Sequence, residues 1–186
     1  MSVVSLLKKS EAPITVRSMF SDTNTSPLVS TMAHVPELIA KAMPFIGQAL
    51  GASSINIRAK EIMILRASSL MKCVYCIKTH TVVAERVGLS LLEIRALRDE
   101  QSIESAFSEA KEILLIQWTD ALTNGPAPIE RELKEEMKQY YCDAEIVEMS
   151  LCIGATLMLN RYATALDLPV DPGHLLILKE KGLDFE

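Results

Sequence analysis

The chain has little of what disordered, fibrous, nucleic-acid-binding or membrane-spanning proteins require. Its 186 residues hold only 7 Gly and 8 Pro against 49% hydrophobic residues, which argues against a disordered or collagen-like chain. No Lys/Arg cluster is longer than Lys8-Lys9 and the formal net charge is -5, so no nucleic acid is expected as a partner. The longest apolar stretch, Met149 to Leu159, is about half of the roughly 20 residues that a bilayer crossing needs, so no membrane partner is expected either. The amino terminus, Met1-Ser-Val-Val-Ser-Leu-Leu-Lys-Lys, carries its charges after a very short apolar run and lacks a small-residue cleavage site, the reverse of a secretory signal. A soluble, cytoplasmic protein in a reducing compartment is the expectation.

Alternating strand patterns and fixed internal repeats are also missing, and what repeats instead is helical. The fold is expected to be all-α, with one domain that can bury roughly 70% of the unfolded chain's surface. Residues 1-35 are the least periodic and read as an amino-terminal extension that packs on a neighbour, with a loop over 21-27. Pro36 can open a helix whose apolar positions fit a 3.6 period and which Pro44 should kink or end. A second helix, apolar all round and hence central, should run from after Asn56 to about Met71, and a third should end near Gly88. Ser90-Leu91-Leu92-Glu93 has the form of a capping box for a helix over about 91-98. Further helices are expected from Ser108 to Leu122, over about 129-140, and from a cap at Asp143 to about Leu166 as the last of the chain. His34 and His174 are expected in loops, Asn160 as a satisfied interior amide, and Cys142 and Cys152 as plain core or surface residues.

Four cysteines in an unexported chain direct attention to Cys73-Val74-Tyr75-Cys76-Ile77-Lys78-Thr79-His80. On one helix the two thiols and the imidazole stack on a single face. A thiol is a weak nucleophile until something stabilises its negative sulfur, and two devices are at hand. Sulfurs in a helix's first turn meet its unpaired amides and dipole. His80, one turn after Cys76, can take the Cys76 proton, which makes Cys76 the better base-activated thiol. Glu61, in the apolar stretch Ile62-Met63-Ile64-Leu65, would be costly to bury without a partner. If the chain reverses near Lys72, Glu61 and His80 fall within ~4-5 Å of axial register on an antiparallel helix pair, where the carboxylate would orient the imidazole. The alternatives are a non-catalytic cysteine pair, a core histidine, and a glutamate that only complements a helix dipole. Zinc would need four ligands, and no second CxxC or nearby His completes a set, so no metal is expected.

Glu61, eleven intervening residues and then Cys73-x-x-Cys76-x-x-x-His80 resemble the signature of the AhpD-like alkylhydroperoxidases, within the carboxymuconolactone decarboxylase superfamily. Leu65-Arg66-Ala67, His80-Thr81, Gly88-Leu89-Ser90, Asp143 to Glu148 and Asn160-Arg161 extend the resemblance over about 36-169, and the family domain is taken as 36-186. The resemblance implies an AhpD-like helical bundle with the CxxC at the start of a central helix, assembled as a homo-oligomer, a trimer or hexamer. It implies a redox-active disulfide and an antioxidant peroxidase role. Cys76 would attack hydrogen peroxide or an organic hydroperoxide and become a sulfenic acid, and Cys73 would resolve it to a disulfide. A dithiol reductant, thioredoxin-like or a lipoyl protein, would then restore the pair, and no cofactor is called for. The family's second histidine is Tyr75 here, a poor proton shuttle at neutral pH. Other functional classes are a lactone decarboxylase-like, non-redox enzyme and a redox-switched interaction protein.

Overall fold

A computed structural model of the protein describes residues 2-125 and 127-184, and among these the regular structure is helix alone, with no strand. A 3-10 turn at Ile14–Met19 precedes α1 (Pro27–Met32), α2 (Pro36–Leu50), α3 (Ile57–Leu70) and α4 (Val74–Arg86). Then follow α5 (Leu91–Leu97), α6 (Ile103–Ala106), α7 (Ala110–Thr123), α8 (Arg131–Tyr140), α9 (Asp143–Ala165) and α10 (Pro172–Glu180). None of these helices is long and apolar enough to cross a membrane, among the described residues.

α3 is the hub of the bundle and packs against α4, α7 and α9. Asn56 caps it by accepting the Ala59 N–H at 2.8 Å, and every residue from Lys60 to Ser68 is buried. Ile62, Met63, Ile64 and Leu65 are each sealed from solvent, worth about 1.5–3 kcal/mol apiece before the costs of ordering. Burial of its polar residues is tolerated because each has a partner. Lys60, fully buried, donates to the Ala49 carbonyl and to Glu148, both at 2.6 Å. Arg66 is held bidentately by Asp120, at 2.6 and 2.8 Å, and also pairs with Asp99.

Several boundaries differ from the sequence reading. Pro44 does not end α2, which runs on to Leu50. Pro44 and Ala40, whose carbonyl loses a donor there, are both exposed, so water can serve the freed oxygen. The polar stretch after α5 folds a short helix, α6, capped by Ser102. α7 starts at Ala110 rather than beside Ser108, and α9 is preceded by Cys142 at its cap, with Asp143 already helical. α9 is not the last helix. Asp171 caps α10 by accepting the Gly173 N–H at 2.7 Å, and His174 lies within that helix rather than in a loop. His34 lies in the turn after α1.

Residues 2–35 fold back on their own chain. Ala12, Val16, Phe20, Val29 and Ala33 close a small second core with Ile39 of α2. The segment is tied to α9 and its end by Val3 N–H to the Leu166 carbonyl at 2.9 Å and by Tyr162 to Thr31 at 3.0 Å.

Candidate active site

The turn between α3 and α4 builds the site. α3 ends with Lys72 in the left-handed region at φ 53°, so that Lys72 N–H reaches the Ser69 carbonyl at 2.9 Å and Cys73 N–H the Ser68 carbonyl at 3.1 Å. That is the double closure which usually employs glycine, and a lysine there costs about 1 kcal/mol. The chain is thereby reversed, with Cys73 at the cap position of α4 and Cys76 in its first turn.

Cys73 Sγ accepts the Cys76 N–H at 3.4 Å, and the two sulfurs lie 2.7 Å apart as free thiols. The hydrogen bond shared with the Cys76 thiol, against the opposing effect of burial, pulls Cys73 down to about 6. The Cys76 amide and the Thr164 hydroxyl act in the same direction, as does His80 whenever it carries a proton. Cys76 is pushed the other way, by sharing its proton with Cys73, by burial and by the charge on Cys73. The two sulfurs are therefore pushed in opposite directions, Cys73 toward the thiolate and Cys76 toward the thiol, because the cap position collects three donors on Cys73. The sequence expectation concerns another matter, the activation of Cys76 by His80 as base at the moment of attack.

Glu61 and His80 meet across the antiparallel α3–α4 pair. His80 Nδ1–H donates to Glu61 Oε2 at 2.9 Å, and the carboxylate is almost wholly buried while the imidazole keeps 23% of its side chain exposed. The contact is direct and fixes the ring.

Each sulfur faces its own cavity. Cys73 lines one of about 250 Å³ with Lys72, Tyr75, Thr164, Asp167 and Leu168. Cys76 lines a far smaller one of about 20 Å³, shared with His80, Ser68, Thr156 and Asn160 and otherwise apolar. Tyr75 separates the first from a third cavity of about 230 Å³ that holds His174. Its phenol, which burial pushes above the ordinary range, lies 3.3 Å from Ser26 Oγ.

Sequence reasoning missed four residues of the site, Ser68 on α3 and three on α9. Thr164 touches the Cys73 sulfur, and Thr156 and Asn160 line the Cys76 cavity. A signal was present, because positions 156, 160 and 164 are polar at intervals of four in the mostly apolar stretch 149–165, one ridge facing one place. Asn160 is not the satisfied amide expected. Its Oδ1 accepts from Ser68 Oγ at 3.1 Å, but its buried Nδ2 has no partner within the protein. Cys152 is buried in the core and Cys142 is exposed. Among the described residues no group of three or more His, Cys, Asp or Glu is arranged to hold a metal.

Comparison with known proteins agrees with this architecture. Residues 36–117 match the carboxymuconolactone decarboxylase family. YdfG, an uncharacterized protein of Bacillus subtilis (strain 168), is 26% identical over 115 residues, 61% of this chain and 77% of its own length. The crystal structure of an uncharacterized peroxidase-related protein from Ralstonia eutropha JMP134, an alkylhydroperoxidase AhpD core, is similar with a TM-score of 0.82. That similarity covers 94% of this chain and 95% of the other at 12% identity. The apo structure of the debrominase Bmp8 is similar with a TM-score of 0.76 at 23% identity, over 97% and 98% of the two chains. At these identities the solved structures share the fold.

Proposed function

We propose that this chain, which has an AhpD-like helical fold and matches the carboxymuconolactone decarboxylase family over residues 36–117, is a member of that superfamily and a thiol-dependent hydroperoxide reductase. The observation that carries this reading is the pair of sulfurs 2.7 Å apart, pushed in opposite directions by their surroundings, beside a buried carboxylate–imidazole couple. Environments that split two titratable groups in this way divide their labour.

In the proposed cycle His80, oriented by Glu61, takes the Cys76 proton as the sulfur attacks the terminal oxygen of a hydroperoxide. The S–O bond forms, the O–O bond breaks, and the departing alkoxide receives a proton from His80. Cys76 is then a sulfenic acid. Cys73, still a thiolate, attacks the Cys76 sulfur, and the S–S bond forms as hydroxide leaves. The pair has lost two electrons and the peroxide has gained them. A dithiol donor, thioredoxin-like or lipoyl, returns them by exchange, and the cavity of about 250 Å³ at Cys73 supports an approach from that side. Assembly into a trimer or hexamer belongs to the same reading. It is supported by the exposed apolar residues Val147, Leu151 and Met158, spaced along one face of α9.

Mass spectrometry of each thiol after one equivalent of organic hydroperoxide tests the proposal. The expected result is a Cys73–Cys76 disulfide in the wild type and a sulfenate on Cys76 in Cys73→Ser. Retention of full peroxide consumption by Cys76→Ser would refute it. The family name brings a second reading, a non-redox lactone decarboxylase, which turnover of a lactone acid by the Cys73→Ser, Cys76→Ser double variant would favour.

A further inference from the structure

The small cavity behind Cys76 is matched to one oxygen atom. At about 20 Å³ it exceeds what a single water-sized atom needs, about 10–15 Å³, and leaves no room for an organic substituent. Cys76 lines it and Cys73 does not, whereas Cys73 lines the larger cavity and Cys76 does not. Displacement at sulfur is in line, so a group leaving Cys76 under attack by Cys73 departs on the side away from Cys73. The small cavity lies on Cys76 and apart from the Cys73 cavity, and it is built for a polar occupant. Asn160, 1% exposed, lines it with a buried and unpaired Nδ2, while Ser68 holds the amide's other end by donating to Oδ1 at 3.1 Å. A buried donor left without a partner is costly, and such a cost persists where the donor has a use.

We infer that this cavity is the binding site of the oxygen carried by Cys76, with Asn160 as the donor that stabilises it; the inference rests on the peroxide-reductase reading. Asn160 Nδ2–H donates to the oxygen of the Cys76 sulfenic acid and then to the hydroxide that leaves when the S–O bond breaks and the Cys73–Cys76 bond forms. His80, on the same cavity wall, delivers the proton that turns the hydroxide to water, and its partly exposed ring regains one from solvent. Ser68 is a positioning residue, since it fixes which end of the amide is free.

The test compares two ways of oxidising the pair in the reduced full-length chain. Hydrogen peroxide places an oxygen on Cys76, whereas a disulfide oxidant, 5,5′-dithiobis(2-nitrobenzoate), closes the pair through a mixed disulfide without one. In Asn160→Leu combined with Ser68→Ala, which replaces both partners by apolar groups of similar size, peroxide-driven closure should slow about 100-fold, the usual loss for one oxyanion donor. Closure by the disulfide oxidant should stay within about twofold of wild type. Should that variant fail to fold, Asn160→Asp keeps the shape and replaces the donor by an acceptor, with the same slowing expected at neutral pH. Peroxide-driven closure at the wild-type rate, or equal slowing by both oxidants, overturns the assignment of Asn160. A wild-type pair that closes with the disulfide oxidant but is inert to peroxide removes the peroxidase reading itself, and the oxygen site with it.

Discussion

A thiolate held on Cys73 makes the stability of the reduced protein depend on pH in a window where few other groups titrate. The Cys73 thiol is brought from its ordinary 9.0 to about 6, a preference for the ionised form on the order of a few kcal/mol. The sulfur is buried, so solvent does not screen this away. Below pH 6 the thiol is protonated whether the chain is folded or not, and it contributes nothing. Between 6 and 9 the unfolded chain carries a proton that the folded one lacks, and stability rises with pH at up to ~1.4 kcal/mol per unit. Above 9 the contribution is complete, and it is lost as pH falls through 6. Cys76, displaced upward, affects stability only above 9, where its sign is opposite. Urea unfolding of the reduced protein at pH 6, 7 and 8, with the same series for Cys73→Ala, isolates the effect, because groups distant from the pair cancel in the difference. The wild type should gain ~2–3 kcal/mol over the variant across this interval. Alkylation should report the same ionisation, with roughly 90% of Cys73 reactive as thiolate at pH 7 against about 1% for an ordinary thiol. Parallel stability profiles for the two proteins, or an alkylation midpoint near 9, would show that the cap position does not hold the charge.

Three further outcomes follow from the surrounding structure. Glu148 is the counter-charge of the fully buried Lys60, so Glu148→Gln should cost about 3 kcal/mol in urea unfolding at pH 7. Burial alone would raise the Glu148 carboxyl, but the hydrogen bonds of Lys60, Ser53 and Ser54 prevail and hold it at about 2. That contribution is present above its ordinary 4.5 and disappears as pH falls through 2, so the cost of Glu148→Gln should shrink in acid. Cys152, pushed up to about 12 chiefly by burial, should resist iodoacetamide at pH 8 in the native reduced protein while the exposed Cys142 is modified, as peptide mass spectrometry would record. Lys72→Gly relieves a left-handed conformation at the turn before Cys73 and should raise the melting temperature by a few degrees, about 1 kcal/mol; a loss of stability would show that the lysine side chain, not the backbone, matters there.

How far the sequence foretold this site depends on the scale of the interaction. The hub helix was legible because Ile62 to Leu65 is apolar on every side, a pattern only a surrounded helix satisfies. The antiparallel α3–α4 pair was legible from helix length alone, and the Glu61–His80 contact lies at the level that arithmetic indicates. α6 and α10 escaped notice because four and nine residues present too short an apolar stripe to stand out from polar surroundings. Thr156, Asn160 and Thr164 were passed over for the opposite reason, since single polar residues in a long apolar helix read as incidental until a second helix supplies what they face.

The identity of the charged sulfur turns on a finer matter still. In a Cys-x-x-Cys segment the residue at the helix cap collects the free amides and the neighbouring thiol's proton, and the residue three further on gives that proton up. Whether Cys73 is the cap depends on whether the left-handed residue is Lys72 or one of its neighbours, a shift smaller than the accuracy with which helix ends can be read from sequence. Without a glycine to mark it, the turn is set by tertiary packing, through the closure of Ser68 and Ser69 on Cys73 and Lys72 and through Thr164 arriving from α9. The opposite directions in which two chemically identical side chains are pushed therefore depend on one residue of register at a single helix end, because that register decides which sulfur meets the cap amide and the Thr164 hydroxyl.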